Sequence, residues 1–290
     1  MQRRIFFGAL AAALLAFGCA SKKPIIPPEK LWGEAEEAFK DDAYELAVDR
    51  YKKLVDQHPF DPHAEEAELK IALSYYKAER WAEAIAAFGD FERMHPTSNE
   101  LAEVEYYLGM AYLAQASTAD RDQQSHSNAL TYFKNLIDRF PQSPWAEKAR
   151  LRVRECREAL AKHEAGVAAY YLKIGNIKAA EARLQGILTD YPETDASAQC
   201  LYAFAQTYAA RNENEGATLA LATLARYHPD DPLGREAKSR LGTAVSLDGD
   251  DPLRLFIAHL ERMRTEADRQ RLPSTVSAYP EVGGATPPQP

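Results

Sequence analysis

Apolar residues recur at three- and four-residue spacing along most of the chain between residue 29 and about residue 245, the pattern of amphipathic helices. One segment carries Ala47, Val48, Tyr51, Leu54 and Val55. It ends in a histidine followed by proline, and an aromatic residue or histidine before proline occurs five times, at His58-Pro59, His95-Pro96, Phe140-Pro141, Tyr191-Pro192 and His228-Pro229. Because proline does not continue a helix, these are predicted helix ends, and the chain is predicted to be all helical.

The segments before these prolines share small and large positions. Twelve residues before each proline stands Ala47, Ala84, Ala129, Ala180 or Ala217, and eight before stands Tyr51, Phe88, Phe133, Leu184 or Leu221. In the preceding helix a small residue is followed three positions later by a tyrosine, at Ala72 and Tyr75, Gly109 and Tyr112, Ala168 and Tyr171, and Ala205 and Tyr208. This spacing resembles the tetratricopeptide repeat, whose small residues let paired helices approach closely. We therefore predict an all-α solenoid of about five helix-turn-helix repeats.

The repeat spacing divides the chain. The prolines are 37, 45, 51 and 37 residues apart, whereas a plain array has about 34. The third interval contains a charged run without Gly or Pro, Trp145 to Ala165, which predicts a long first helix in repeat four. The second interval contains a polar segment, Thr118 to Ser127, which we interpret as an excursion between the helices of repeat three. We predict repeats one to three over 29–142, the long helix with repeats four and five over 143–245, a capping helix over 250–271 and a disordered tail over 272–290.

The amino terminus predicts export. Arg3 and Arg4 precede a 13-residue apolar run, Ile5 to Phe17, which is too short to span a membrane and is typical of a signal peptide over 1–18. Gly18-Cys19 resembles a bacterial lipobox, which implies acylation of Cys19, although Ala16 and Phe17 depart from the usual pattern and simple secretion is the alternative. By resemblance to enteric lipoproteins, Ala20 in place of aspartate favours the outer membrane. The Pro-rich segment 19–28 is predicted to be a tether holding the body a few nanometres from the bilayer.

The composition and motifs of the chain narrow the range of functions to be considered. The net charge of −8, which becomes −10 when residues 1–18 are removed, argues against nucleic acid as a partner. The sequence contains no phosphate-binding loop, nucleophile elbow or HExxH pair, so we do not expect an enzyme. We interpret His58, His95 and His228 as residues that cover helix ends, so we do not expect a metal site. The lipid on Cys19 is the only attached group that we expect. After Cys19, the remaining Cys156 and Cys200 could pair or stay as free core residues, and the sequence leaves this open.

Four further tyrosines are candidates for partner contact. Tyr76, Tyr106, Tyr107 and Tyr170 neighbour the tyrosines assigned to packing between helices or one another. Adjacent helical residues point about 100° apart, so these rings cannot all enter one seam. We predict that some of them bind an extended peptide.

Segments beyond the generic repeat carry a more specific resemblance: Asp120-Arg-Asp-Gln-Gln, Phe140-Pro-Gln-Ser-Pro, Leu160-Ala-Lys-His-Glu, Val167-Ala-Ala-Tyr-Tyr and Asp190-Tyr-Pro-Glu-Thr. With the lipobox they resemble the BamD (ComL) family of outer-membrane assembly lipoproteins. The resemblance implies a non-catalytic component of the β-barrel assembly (BAM) complex, lipid-anchored at the periplasmic face of the outer membrane.

The implied partners are the POTRA domains of a BamA-like barrel subunit and unfolded outer-membrane proteins, and other BAM lipoproteins are allowed. Arg183 matches a family position associated with the barrel-subunit contact, and an ordinary exposed arginine is the alternative. The competing function is an envelope adaptor for peptidoglycan synthesis or the Tol system. Such adaptors often carry an amino-terminal coiled coil, and no heptad run precedes Trp32.

Overall fold

The computed structural model describes residues 25–118, 123–242 and 249–271, and all regular structure within these ranges is α-helical. The predictions for the signal peptide, Cys19 and the tail over 272–290 lie outside the described residues. The helices are α1 (Pro28–Lys40), α2 (Tyr44–Gln57), α3 (Ala64–Lys77), α4 (Trp81–Met94), α5 (Leu101–Thr118), α6 (Gln123–Arg139), α7 (Pro144–Lys173), α8 (Ile177–Asp190), α9 (Asp195–Ala210), α10 (Asn214–Tyr227), α11 (Pro232–Leu241) and α12 (Pro252–Arg271). The predicted all-α repeat fold is confirmed.

The repeat residues lie where their spacing requires. Each of α2, α4, α6, α8 and α10 ends two residues before a repeat proline. The alanine twelve residues before each proline is buried in every repeat, because it lies where paired helices come closest. The turns inside repeats one, two, four and five each contain one residue with positive φ, and these are Asp42, Glu79, Gly175 and Asn212.

The contacts within the chain define two compact units, residues 1–115 and 116–290. This division differs from the boundary at 142/143 that the repeat count suggests. The reason is that α6, the second helix of repeat three, packs against the long α7 that follows it. Repeat three is therefore shared between the units, and α6 belongs with repeats four and five.

Helix α7 contains 30 residues and is the long helix expected in this part of the chain. Ser143 begins it by accepting a hydrogen bond from the Trp145 backbone N–H at 3.2 Å, and Pro144 occupies the first helical position. The excursion predicted over Thr118 to Ser127 is helical from Gln123 onward, and residues 119–122 lie outside the described residues. The prediction missed the first turn of α6 because its residues, Gln123 to His126, are all polar and carry no apolar periodicity.

Helix α12 lies across α8 and α10, the second helices of repeats four and five. Its Phe256 and Leu260 are fully buried in the core of the second unit, next to Leu184, Tyr208 and Ala220. Helix α11 packs on α9 and α10, so α10 is in contact with both α11 and α12. The terminal helix is thus folded back along the repeats. Among the described residues, no helix has the length and apolar character that crossing a bilayer requires.

Candidate functional site

Three of the candidate tyrosines meet in one cluster of the first unit. Tyr76 comes from α3, and Tyr106 and Tyr107 come from α5. The Tyr107 ring lies 5.0 Å from Tyr76, 5.6 Å from Tyr106 and 5.9 Å from Phe88 of α4, and Trp81 lies 5.3 Å from Tyr76. We call these five residues the ring cluster. Centroid distances of this size are those of favourable edge-to-face and stacked pairs.

The ring cluster is packed more tightly than a row of free contact residues would be. Tyr106 is only 9% exposed, and Phe88 is fully buried. Tyr76 and Tyr107 are half-buried, and partial burial, with Glu103 nearby, raises the pKa of Tyr107. Tyr76 and Tyr107 are therefore the two tyrosines of this cluster that keep more than a trace of surface accessible to a peptide.

A groove of about 370 Å³ lies between α2, α3 and α4 of the same unit. Ile71, Phe91 and Met94 provide apolar surface, and Lys52 donates a hydrogen bond of 2.7 Å to the Tyr75 hydroxyl beside it. The carboxylates that line the groove are those of Glu68, Glu83 and Asp90. The sequence gives no signal for this groove, because its lining comes from three helices and most of these residues also fit the packing pattern.

The second unit contains the other two candidates. Arg183 of α8 forms an ion pair with Glu164 of α7, with 3.0 Å between Arg183 Nη1 and Glu164 Oε2, and its side chain is 46% exposed. Tyr170 is 60% exposed near the end of α7, and Ile174, one turn further on, is exposed as well. The structure thus places Arg183 and Tyr170 on the same α7–α8 hairpin, with Arg183 oriented by Glu164.

Two neighbouring residues of α7 hold the turn between α8 and α9. The Arg157 guanidinium pairs with Glu193 and donates to the Asp190 carbonyl at 2.6 Å. Glu158 accepts hydrogen bonds from the backbone N–H groups of Asp195 and Ala196, at 2.9 and 3.1 Å, at the start of α9. Burial, the largest single effect, would raise the pKa of Glu193, but the hydrogen bond and charge of Arg157 together with a backbone hydrogen bond and the nearby His228 outweigh it and lower that pKa. This clamp fixes repeat five relative to the α7–α8 hairpin.

The histidines before the repeat prolines each end a helix, as the sequence indicates, and their side chains also link neighbouring segments. His58 Nε2 donates to the Ile26 carbonyl at 2.7 Å, and His228 Nε2 donates to the Pro192 carbonyl at 2.9 Å. His95 Nε2 instead meets the carboxylate of Glu68. Burial lowers the pKa of His228. These contacts explain the histidines without a metal ion.

Cys156 and Cys200 are both free and buried, and burial raises the pKa of each thiol to about 12. The disulfide that the sequence leaves open is therefore not formed in this structure. Across the ranges that the structure describes, no group of three or more His, Cys, Asp or Glu side chains is placed to hold a metal ion.

Comparison with known proteins gives a consistent result. The family model YfiO, described as "Outer membrane lipoprotein", matches residues 25–241. A Vibrio cholerae protein named "Outer membrane protein assembly factor BamD" is 31% identical over 214 residues, covering 69% of this chain and 88% of that protein. Proteins of the same name from Neisseria meningitidis serogroup B and Caulobacter vibrioides are 33% and 28% identical, over 57% and 79% of this chain and 66% and 79% of their own lengths.

Proposed function

Because the chain belongs to the YfiO family of outer membrane lipoproteins, we propose that it is a non-catalytic component of the machinery that assembles β-barrel proteins in the outer membrane. The observation that carries the proposal is the family match over residues 25–241, which includes most of both compact units. The relatives compared above are all named as assembly factors, and they give no support to the peptidoglycan or Tol alternative.

The second unit is the proposed docking site for the periplasmic POTRA domains of a BamA-like barrel subunit. Arg183 is exposed enough to meet a carboxylate of the partner, and Glu164 already orients its guanidinium. Tyr170 and Ile174 supply apolar area on the same hairpin. Arginine and tyrosine are both enriched at energetically important positions of protein interfaces.

The first unit is proposed to bind extended segments of unfolded outer-membrane proteins. The half-buried rings of Tyr76 and Tyr107 offer aromatic surface that is already ordered by the rest of the ring cluster. Such surface binds with little loss of side-chain freedom, because the rings are fixed before the peptide arrives. An extended strand that ends in an aromatic residue is the proposed ligand.

The remaining parts of the proposal concern location. Acylation of Cys19 would anchor the chain in the inner leaflet of the outer membrane and place both units in the periplasm, and this lipid is the one covalent group proposed. Other lipoproteins of the same complex are further candidate partners.

The barrel-subunit contact is tested by the charge reversal Arg183→Glu. Arg240→Glu is the matched control, because Arg240 is 47% exposed and also pairs with a glutamate, Glu236, in the same unit. After mild detergent extraction, copurification of the barrel subunit should fall with Arg183→Glu and stay at the wild-type level with Arg240→Glu. Equal copurification by both variants would remove Arg183 from the interface, and absence of the barrel subunit from the wild-type extract would contradict the proposed function.

Peptide binding is tested by placing the photocrosslinking residue benzoylphenylalanine at Tyr76 or Tyr107. The control position is Tyr44, a half-buried tyrosine of the first unit that packs against Phe39, away from the ring cluster. Crosslinks to newly made outer-membrane proteins should form from positions 76 and 107 and not from position 44. Crosslinking of equal strength from all three positions would show that the ring cluster is not the binding site.

A further inference from the structure

The side chain of Phe60 is 98% exposed. It follows Pro59 directly, in the turn between α2 and α3, and no packing among the residues that the structure describes accounts for an aromatic ring at this place. The residues at the same position after the other repeat prolines are all polar: Thr97, Gln142, Glu193 and Asp230. The repeat itself therefore does not require an apolar residue here, and repeat one is exceptional.

The incoming chain is attached at the same end of α2. The Ile26 backbone N–H donates to Gln57 Oε1 at 3.0 Å, and its carbonyl accepts from His58 Nε2 at 2.7 Å. Ile25, immediately before it, is 75% exposed. These two hydrogen bonds hold Ile25 at the helix end from which the Phe60 turn also projects. Two exposed apolar side chains thus lie at one end of the first repeat, and we call them the Phe60–Ile25 tip.

The tip is close along the chain to the proposed lipid. Only six residue steps separate Cys19 from Ile25, and a fully extended step spans at most about 3.6 Å, so the tip lies within about 22 Å of the acylated residue. The tether is shorter than the sequence suggests, because Ile26 at its end is bound to α2. A tether of this length is short enough for the tip to reach the membrane surface.

Charge near the tip is compatible with a lipid surface. Lys22 and Lys23 lie between the anchor and the tip and can meet anionic headgroups. The Asp61 carboxylate, next to Phe60, accepts hydrogen bonds from the backbone N–H and Nδ1 of His63, both at 2.9 Å, and is therefore occupied within the protein. Asp56 and Glu29 are exposed and would have to stay in the aqueous headgroup layer.

We propose that the Phe60–Ile25 tip inserts into the boundary between the headgroups and acyl chains of the membrane that holds the lipid anchor, so that repeat one is docked on the bilayer. This rests on the acylation of Cys19 in the proposed function. Aromatic side chains favour this interfacial layer, and apolar groups buried there add to the hold of a lipid anchor. The lipid anchor holds the protein near the bilayer, and the inserted tip fixes the orientation of repeat one on the membrane surface.

The test measures membrane depth at position 60. Full-length acylated protein carrying Phe60→Cys is labelled with the fluorophore NBD and reconstituted into vesicles of phosphatidylethanolamine and phosphatidylglycerol. Cys156 and Cys200 are buried, so the label goes to position 60. Thr97→Cys is the matched control, because Thr97 is exposed at the same position of repeat two. The emission at position 60 should shift to shorter wavelength and be quenched by doxyl-labelled lipids, whereas position 97 should behave as in water.

A second measurement avoids an attached dye. Phe60→Trp and Thr97→Trp are compared for quenching by brominated lipids over the common background of Trp32, Trp81 and Trp145. Quenching should increase above that background for position 60 alone. Agreement of the two probes supports insertion of the tip.

The remaining outcomes separate the tip from the anchor. The protein can float with vesicles and carry acyl chains on Cys19 while the probes at positions 60 and 97 report the same aqueous environment. This result would overturn the tip proposal and leave the anchor in place. If Cys19 is not acylated and the protein stays in solution, the anchor and the tip fail together. If position 60 becomes apolar only on adding the barrel subunit or more of the same protein, the tip is a protein contact and membrane insertion is wrong.

Discussion

The two compact units close their repeats in different ways. The first unit buries large rings such as Tyr51, Phe88 and Phe91, and two hydrogen bonds fasten the extended chain at Ile26 to its first repeat. The second unit buries rings as well, among them Phe133, Phe204 and Tyr208, but its closure is different, because α12 covers the second helices of repeats four and five. The first repeat is therefore closed by directional hydrogen bonds, whereas repeats four and five are closed by an apolar helix face. Loss of a single side chain should have unequal consequences in the two units.

The largest effect is expected at the centre of α12. Phe256→Ala removes a fully buried ring that packs 6.3 Å from Tyr208, which should destabilise the second unit by about 3–5 kcal/mol and release α12. Hydrogen exchange followed by peptide mass spectrometry should accelerate in α8, α10 and α12 and not in α1 to α4. Leu255→Ala, at an exposed position of the same helix, is the control. Unchanged exchange in α8 and α10 would show that α12 does not support them.

A backbone clash gives the next effect. A Cβ atom at Gly234 would lie 1.8 Å from the His228 carbonyl oxygen, so Gly234→Ala must displace α11 from the end of α10. Strain of this kind costs about 1–3 kcal/mol and can exceed that range when backbone atoms are involved. Urea denaturation should show a lower midpoint for this variant. Gly186→Ala is the control in the same unit, since no atom lies within 4 Å of its added Cβ. Equal midpoints would contradict this packing of α11.

A smaller effect, dependent on pH, is expected at the hydrogen bond between His228 and Pro192. The pKa of His228 is lowered in the folded state, so the unfolded chain binds more protons between that value and the usual 6.5. The unfolding free energy of the second unit should therefore decrease as the pH falls through this window. His228→Gln should remove that part of the pH dependence and, at neutral pH, cost about 1 kcal/mol. Urea midpoints at several pH values measure this, with exposed His163→Gln as the control. A variant with the wild-type pH profile would rule out His228 as the responsible group.

The smallest effect should be alike in the two units. Gly89 of α4 and Gly186 of α8 lie inside helices, and a Cβ at either meets nothing within 4 Å. Alanine should stabilise each helix by about 0.5–1 kcal/mol, because it restricts the unfolded chain. Thermal unfolding of the two single variants is the measurement. A stabilisation confined to one unit would show that the difference between the units extends to helix propensity and is not limited to how they are closed.

The repeat architecture could be predicted because its signals are local. Prolines end helices wherever they fall, and the alanine twelve residues earlier marks the close helix contact in every copy. The position of α12 could not be predicted in the same way. Its apolar face is visible in the sequence at Phe256 and Leu260, but an amphipathic pattern identifies a buried face without identifying the helices that cover it.

The candidate site was predictable only in part, for a related reason. Tyr106 and Tyr107 are adjacent and equally aromatic, yet Tyr106 is buried and Tyr107 half-buried, because the direction of each ring depends on the helices around it. The sequence brought Tyr76, Tyr106 and Tyr107 into one set, and the structure places them in one cluster. Their contact with a peptide stays a prediction. The Arg157 and Glu158 clamp was missed, since charged residues on a long helix ordinarily indicate a solvated face.

The length of helix α7 determines how the helices packed at its two ends are rotated about its axis relative to each other. Its 30 residues span about 45 Å, with α6 joined by a short turn at one end and α8 at the other. One residue inserted midway would turn the two halves about 100° relative to each other, whereas seven would restore the phase to within about 20° and lengthen the helix by about 10 Å. The helix can therefore change length by about seven residues with little change in this rotation, but not by one residue. Variants that keep their partners should differ by whole heptads and not by single residues.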